Sequence, residues 1–197
     1  MPKKSIAEIR KQEIIEHFYA VIISEGFENA SMGKVAKRME VHSSLLIHYY
    51  SNKEEMILAL IDFMVERYEQ TYLPLLAETG SSEERIQLVL DSLFSATWDE
   101  LTDSSCFYSI YPLLLFKESV KGKFQELYHK FSTVLMDEIS LAIQAGVIPP
   151  KDPLLTARVL ITMLEGANFY GNILDDAEQN QQLLAALKQE AQHMLNR

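Results

Sequence analysis

Residues 31–53, SMGKVAKRMEVHSSLLIHYYSNK, hold two short amphipathic helices and the start of a third. Ser31 reads as a helix N-cap, because its hydroxyl can accept from the free N–H groups of the turn that begins at Met32. Val35, Ala36 and Met39 then share one side, while Lys34, Lys37 and Arg38 point outward. After a break at Glu40-Val41-His42 comes a second apolar stripe, Leu45, Leu46 and Tyr49, which leaves Ser43, Ser44, His48 and Tyr50 for other surfaces. Asn52 with Glu55 reads as a capping box that opens the next helix and holds Lys53 at its positive end, where phosphate is attracted. Two short helices around a tight turn are the plan of a helix-turn-helix, whose second helix enters the major groove of DNA.

The layout resembles the N-terminal domain of TetR-type transcriptional repressors, whose pattern runs roughly Thr-x-x-x-Ile-Ala-x-x-Ala-Gly-Val-Ser and ends its recognition helix in aromatic-aromatic-x-x-Lys. Ser31, Val35, Ala36, Val41, Leu46, His48, Tyr49, Tyr50, Lys53 and Glu54 sit where that pattern places their types. Upstream, Ile9 to Phe27 is similar to the family's first helix, with Gly26 as its stop. The resemblance is detailed over about the first sixty residues and architectural beyond.

Three positions depart from the pattern. The turn glycine is Glu40 here, and a non-glycine residue held at positive φ costs on the order of 1–2 kcal/mol. The serine that caps the recognition helix is His42, a poorer cap, with Ser43 able to take over if the helix starts one residue later. The tyrosine that family members aim at a phosphate is Ile47, which makes no such hydrogen bond.

Composition and charge agree with this plan once the charge is divided along the chain. The 197 residues carry a formal net charge of −10, which is unfavourable for a nucleic-acid binder. Eight of the 18 basic residues and eight of the 28 acidic ones lie in the first 55 positions, so that part is neutral and the remainder carries the whole −10. Basic groups gathered at one end orient an acidic body toward DNA by that end. Hydrophobic residues make up 48% of the chain, yet no apolar run approaches the twenty or so residues a membrane helix needs, so no membrane partner is expected. The opening MPKKSIAEIRKQ has no apolar signal core, and Cys106 has no intrachain partner. A cytoplasmic protein is the expectation.

Every segment reads as helix. In the first, Ile15, Phe18, Tyr19 and Ile22 form a core-facing stripe. The helix from Lys53 is expected to run to about Tyr72, before Pro74, and is long enough to link two domains. Ser81 with Glu84 predicts a capping box for a helix through Trp98, and Asp103 or Ser104 a cap for the next, which accepts Pro112 only at a start or a kink. A long helix from about Ser119 stops at Gly146, and Asp152-Pro153 supplies a cap and first-turn proline for a helix to about Leu174. That helix is apolar on more than one face around Gly166 and Gly171, and the last runs from Ala177 to about Leu195. TetR-like proteins dimerise through their last two helices, which implies a homodimer in which Gly166 permits close approach.

Catalytic chemistry is not legible. There is no glycine-rich phosphate loop, nucleophile elbow or His-Glu-x-x-His pair, and His42 and His48 are too far apart in register to share a metal. No cofactor, metal or catalytic residue is expected. TetR-like proteins hold small inducers among the helices of the larger domain, and that implies candidate ligand contacts at Trp98, Tyr111, Tyr128, Glu165 and Asn168 as apolar walls and polar orienting groups.

The expectation is therefore all-α: a three-helix helix-turn-helix domain over residues 1–52, and a larger helical ligand-binding and dimerisation domain over 53–197. The function implied is a ligand-responsive transcriptional regulator, a repressor released from a pseudo-palindromic double-stranded operator by a small-molecule effector. Ser43, Ser44 and His48 are the candidates for base edges, with Ser31, Lys34, Tyr49 and Lys53 for phosphates. Glu40 and Ile47 keep open an alternative, a dimeric helical ligand-binding or adaptor protein that has lost operator binding. A helical enzyme is a third reading, which no convergent titratable groups support.

Overall fold

The computed structural model describes residues 5–95, 104–174 and 176–197, and all regular structure among them is helical. In chain order the helices are α1 (Ile6–Glu25), α2 (Met32–Arg38), α3 (Ser43–Tyr49), α4 (Lys53–Glu78), α5 (Ser82–Leu93), α6 (Ser104–Ile110), a 3-10 turn (Tyr111–Leu115), α7 (Glu118–Gln144), α8 (Pro153–Gly171) and α9 (Ala177–Asn196). Their contacts gather into two compact units, residues 1–67 with 103–125 and residues 68–102 with 126–197. The first unit thus takes in more than the 1–52 read from the sequence, because the first half of α4 and the region from α6 into α7 supply part of its packing.

Local chemistry sets the helix ends. Ser5 and Glu8 close a capping box at α1, and Ser81 and Glu84 close the one expected at α5. Asp152 accepts from the Leu155 N–H at 3.0 Å, with Pro153 as the first residue of α8. At the end of α7, Val147 N–H donates to Ala142 C=O (2.9 Å) and Gly146 N–H to Ile143 C=O (3.0 Å), with Gly146 at φ 72°. This is the Schellman arrangement, in which the residue after the C-cap is left-handed and glycine suits it.

Two helices differ from expectation. α4 continues through Pro74 to Glu78 rather than stopping near Tyr72. Pro74 and Gln70 are both exposed, so water can satisfy the carbonyl the proline leaves without a donor, while burial of Tyr72 and Leu76 holds the next turn helical. α5 ends at Leu93, where Phe94 leaves helical geometry at φ −113°, ψ 41°. Trp98, the expected end of that helix, lies outside the described residues, as do Asp99, Glu100, Asp103 and Asp175. Pro112 stands early in the 3-10 turn that follows α6, a position where a missing N–H costs little.

In the first unit the buried side chains include Ile14, Ile15, Phe18, Val21 and Ile22 of α1, Val35 and Ala36 of α2, Leu46 of α3, and Met56, Ile57, Leu60 and Ile61 of α4. The second unit has its own core, in which Tyr72 and Leu76 of α4, Val89, Leu90 and Leu93 of α5, Leu135 and Ile139 of α7, Leu160 and Leu164 of α8 and Leu195 of α9 all take part. Each such Leu or Ile contributes about 1.5–3 kcal/mol by leaving water. Among the described residues of this second unit, one charge is buried. Glu138, 7% exposed, accepts from Arg85 Nε at 2.7 Å and again from its Nη2, while Arg85 Nη1 donates to Leu76 C=O at 2.5 Å.

The α8 helix buries Ala157, Leu160, Ile161, Leu164 and Ala167 on one face. On the other, Leu155, Val159, Phe169 and Tyr170 remain exposed, Phe169 at 63%, around an open Gly166 beside which a Cβ would meet no atom within 4 Å. Its all-round apolar sequence is thus only half satisfied within one chain. No helix among the described residues is long and apolar enough to cross a membrane.

Candidate nucleic-acid interface

The turn between α2 and α3 repeats the hydrogen bonds found at Gly146. Val41 N–H donates to Ala36 C=O (3.0 Å) and Glu40 N–H to Lys37 C=O (3.2 Å), with Glu40 at φ 57°. Among the described residues it is the one non-glycine at positive φ, so the expected left-handed turn forms despite the missing glycine. His42 is the N-cap of α3 and makes no side-chain cap bond, and Ser43 is already the first helical residue, so the rescue of the cap by Ser43 does not occur.

Seven residues of α3 divide cleanly into two faces. Leu46 is fully buried and Leu45 and Tyr49 half-buried, whereas Ser43, Ser44, Ile47 and His48 are exposed. His48 rests edge-on against Tyr49, with ring centroids 5.1 Å apart. Tyr50 is not available to an outer surface, contrary to the sequence reading. It lies past the end of the helix at φ −138°, is 7% exposed, and donates its hydroxyl to Lys11 C=O at 3.3 Å. Burial, then the carboxylates of Asp62 and Glu55, push its pKa up to about 12.

Three of the expected phosphate contacts have roles inside the unit. Ser31 caps α2 by accepting from Lys34 N–H at 3.4 Å. Lys34 Nζ pairs with Glu25 at 2.5 Å, a surface bridge worth about 0–1 kcal/mol that a phosphate could replace. Lys53 Nζ donates to Phe27 C=O at 2.9 Å and lies 4.4 Å from the centre of the Phe27 ring. Desolvation there lowers its pKa, partly opposed by Glu28. The box at the start of α4 is shifted by one residue: Asn52 accepts from Glu55 N–H (3.0 Å), but Glu55 accepts from Ser51 N–H (2.8 Å). Lys37 and Arg38 lie exposed at the end of α2.

The candidate ligand contacts among the described residues are divided between the two units. Tyr111 belongs to the first unit, in a ring cluster with Phe107, Tyr108 and Phe124 at centroid distances of 4.9–5.3 Å. Tyr128, Glu165 and Asn168 belong to the second, half-buried, with Tyr128 packed against its core. Trp98 is outside the described residues. Sequence reading missed the stacked Tyr68 and Tyr72 (5.2 Å), with Phe131 edge-on to Tyr68 at 5.7 Å, and the Arg85–Glu138 pair beside Tyr72. No group of three or more His, Cys, Asp or Glu residues able to hold a metal occurs among the described residues.

Comparison with known proteins places this geometry. Residues 14–60 match the profile of the bacterial regulatory proteins of the tetR family, and residues 81–197 match the tetracyclin repressor-like C-terminal domain. The transcriptional regulator BetI of Escherichia coli is 26% identical over 99 residues, 49% of this chain and 51% of BetI, and that of Yersinia pestis is 27% identical over 88 residues, 45% and 44%. The chain thus spans about half the length of the curated relatives it matches. Among solved structures, a TetR regulator from Haloarcula marismortui superposes with a TM-score of 0.83 at 22% identity, covering 95% of this chain and 96% of that one. A regulator from Saccharomonospora viridis, solved with choline, superposes at 0.82 with 13% identity and coverages of 96% and 98%. These structural likenesses concern the fold, and the profiles at both ends concern descent. On that footing the chain belongs to the TetR family of bacterial regulatory proteins.

Proposed function

We propose that this protein is a ligand-responsive transcriptional regulator that binds double-stranded DNA through the open face of α3. The observation that carries the reading is that Ser43, Ser44 and His48 stay exposed while Leu46 anchors the helix from the opposite side. Short polar side chains held on a fixed helix can reach base edges in the major groove. Lys34 and Lys53, with Ser31 and Tyr49, are the proposed phosphate contacts, and these set register rather than sequence.

Two copies are needed for a palindromic site, with recognition helices about 34–36 Å apart. The proposed dimer contact is the exposed apolar stripe of α8, whose Leu155, Val159, Phe169 and Tyr170 need a cover that one chain does not supply. An effector bound in the second unit would loosen the complex only by its preference for a shape that misfits the operator. Tyr128, Glu165 and Asn168 are the proposed contacts, and choline, carried by a structural neighbour, is the first molecule to titrate. The site of action is the cytoplasm.

The adaptor reading is less well supported, because the turn that Glu40 put in doubt is formed with both of its hydrogen bonds. Enrichment from a random duplex pool by the full-length chain tests the proposal. An inverted repeat should emerge, and a variant with Ser43→Ala, Ser44→Ala and His48→Ala should bind it no better than random duplex. Enrichment of no sequence would favour the adaptor.

A further inference from the structure

Ile47 lies on the open face of α3, one helical turn after Ser43 and next to His48, and is 57% exposed. A single exposed isoleucine on a protein surface needs no explanation. Here, however, its neighbours on the same face are the residues proposed to meet base edges, and the side chain is shorter than the phosphate-seeking tyrosine of the family pattern, which in the proposed complex leaves it facing the major groove. Ile47 has no donor or acceptor and cannot read any of the polar groups there. The C5-methyl of thymine is the apolar group that a base pair presents in the major groove. Its buried neighbour Leu46 fixes the helix from behind, so the face from which Ile47 projects is set.

We infer that Ile47 is a specificity-determining residue, which selects a thymine in each half-site by apolar contact with its C5-methyl. The inference rests on the regulator reading above. It turns a departure that weakens one phosphate contact into a gain in base selection.

The test uses the full-length chain and the duplex enriched from a random pool. Each thymine is replaced in turn by deoxyuridine, which lacks only the methyl, at symmetric positions in both half-sites. One thymine position should respond, with affinity falling about fourfold per half-site, the worth of one buried methyl. In the Ile47→Ala protein the same replacement should change affinity less than twofold, while Ile47→Val keeps the response. Because Ile47 is exposed, melting temperatures of the variants should match the parent, and the salt dependence of binding should keep its slope. The inference is overturned if no thymine responds, if the response persists in Ile47→Ala, or if the half-sites contain no thymine. Those outcomes leave the regulator reading standing, whereas failure to enrich any duplex removes both.

Discussion

Replacing Glu40 with glycine should stabilise the protein, and Gly146 provides an internal control for the size of the effect. Both residues follow a helix C-cap, both are left-handed (φ 57° and 72°), and both close the same pair of backbone hydrogen bonds. A left-handed residue with a Cβ costs about 1–2 kcal/mol, against which glycine gives the unfolded chain extra freedom worth about 0.5–1 kcal/mol. The net gain for Glu40→Gly is then about 0.5–1 kcal/mol, or a melting temperature about 1–4 °C higher by circular dichroism. Gly146→Ala should lose a similar amount, because a Cβ there meets no atom within 4 Å and the penalty is conformational alone. Glu40→Ala separates strain from charge. It removes the carboxylate beside α3, so binding to random duplex at low salt should tighten as it does for Glu40→Gly, but the melting temperature should not rise. Equal melting temperatures for the alanine and glycine variants would refute the reasoning, since the left-handed turn would then not be the source of the cost.

Three further perturbations follow from particular contacts. His42→Ser supplies the cap that α3 lacks and should add about 1 kcal/mol, read as a higher urea midpoint with unchanged slope. Tyr50→Phe removes the bond to Lys11 C=O and should cost about 1 kcal/mol at neutral pH. The phenol pKa rises on folding from 10.0 to about 12, so its contribution is whole below pH 10 and is lost as pH climbs to 12. The variant's melting temperature should therefore fall less steeply across that window. Phe169→Asp places a charge on the uncovered stripe of α8 and should convert the proposed dimer into monomer by sedimentation velocity, with the helical circular dichroism retained.

Much of the architecture is written in local chemistry. The left-handed turn at Gly146, the Ser81–Glu84 box and the Asp152-Pro153 start each depend on residues within five positions of one another and are readable from sequence, whereas the left-handed turn at Glu40 is implied by the family resemblance alone. What needed coordinates depends on distant partners. Pro74 reads as a stop, but the second unit's core buries Tyr72 and Leu76 on either side of it and overrides that signal. Tyr50 follows a helix of only two turns, too short for its period to assign a face to the residue beyond it. Its acceptor at Lys11 is 39 positions away. Arg85 and Glu138 are 53 apart, with nothing in either neighbourhood to announce a pair. Among the ligand candidates, Tyr111 shares a unit with α1 to α3 rather than with Tyr128, a division that aromatic content alone does not encode.

The central claim is that the open face of α3 meets DNA, and an NMR titration of the 15N-labelled full-length chain with its enriched duplex tests it most directly. The account predicts that the largest amide shifts fall on Ser43, Ser44, Ile47 and His48, with smaller ones at Lys34 and Lys53. Shifts confined to other helices, with α3 unmoved at saturating duplex, would contradict it.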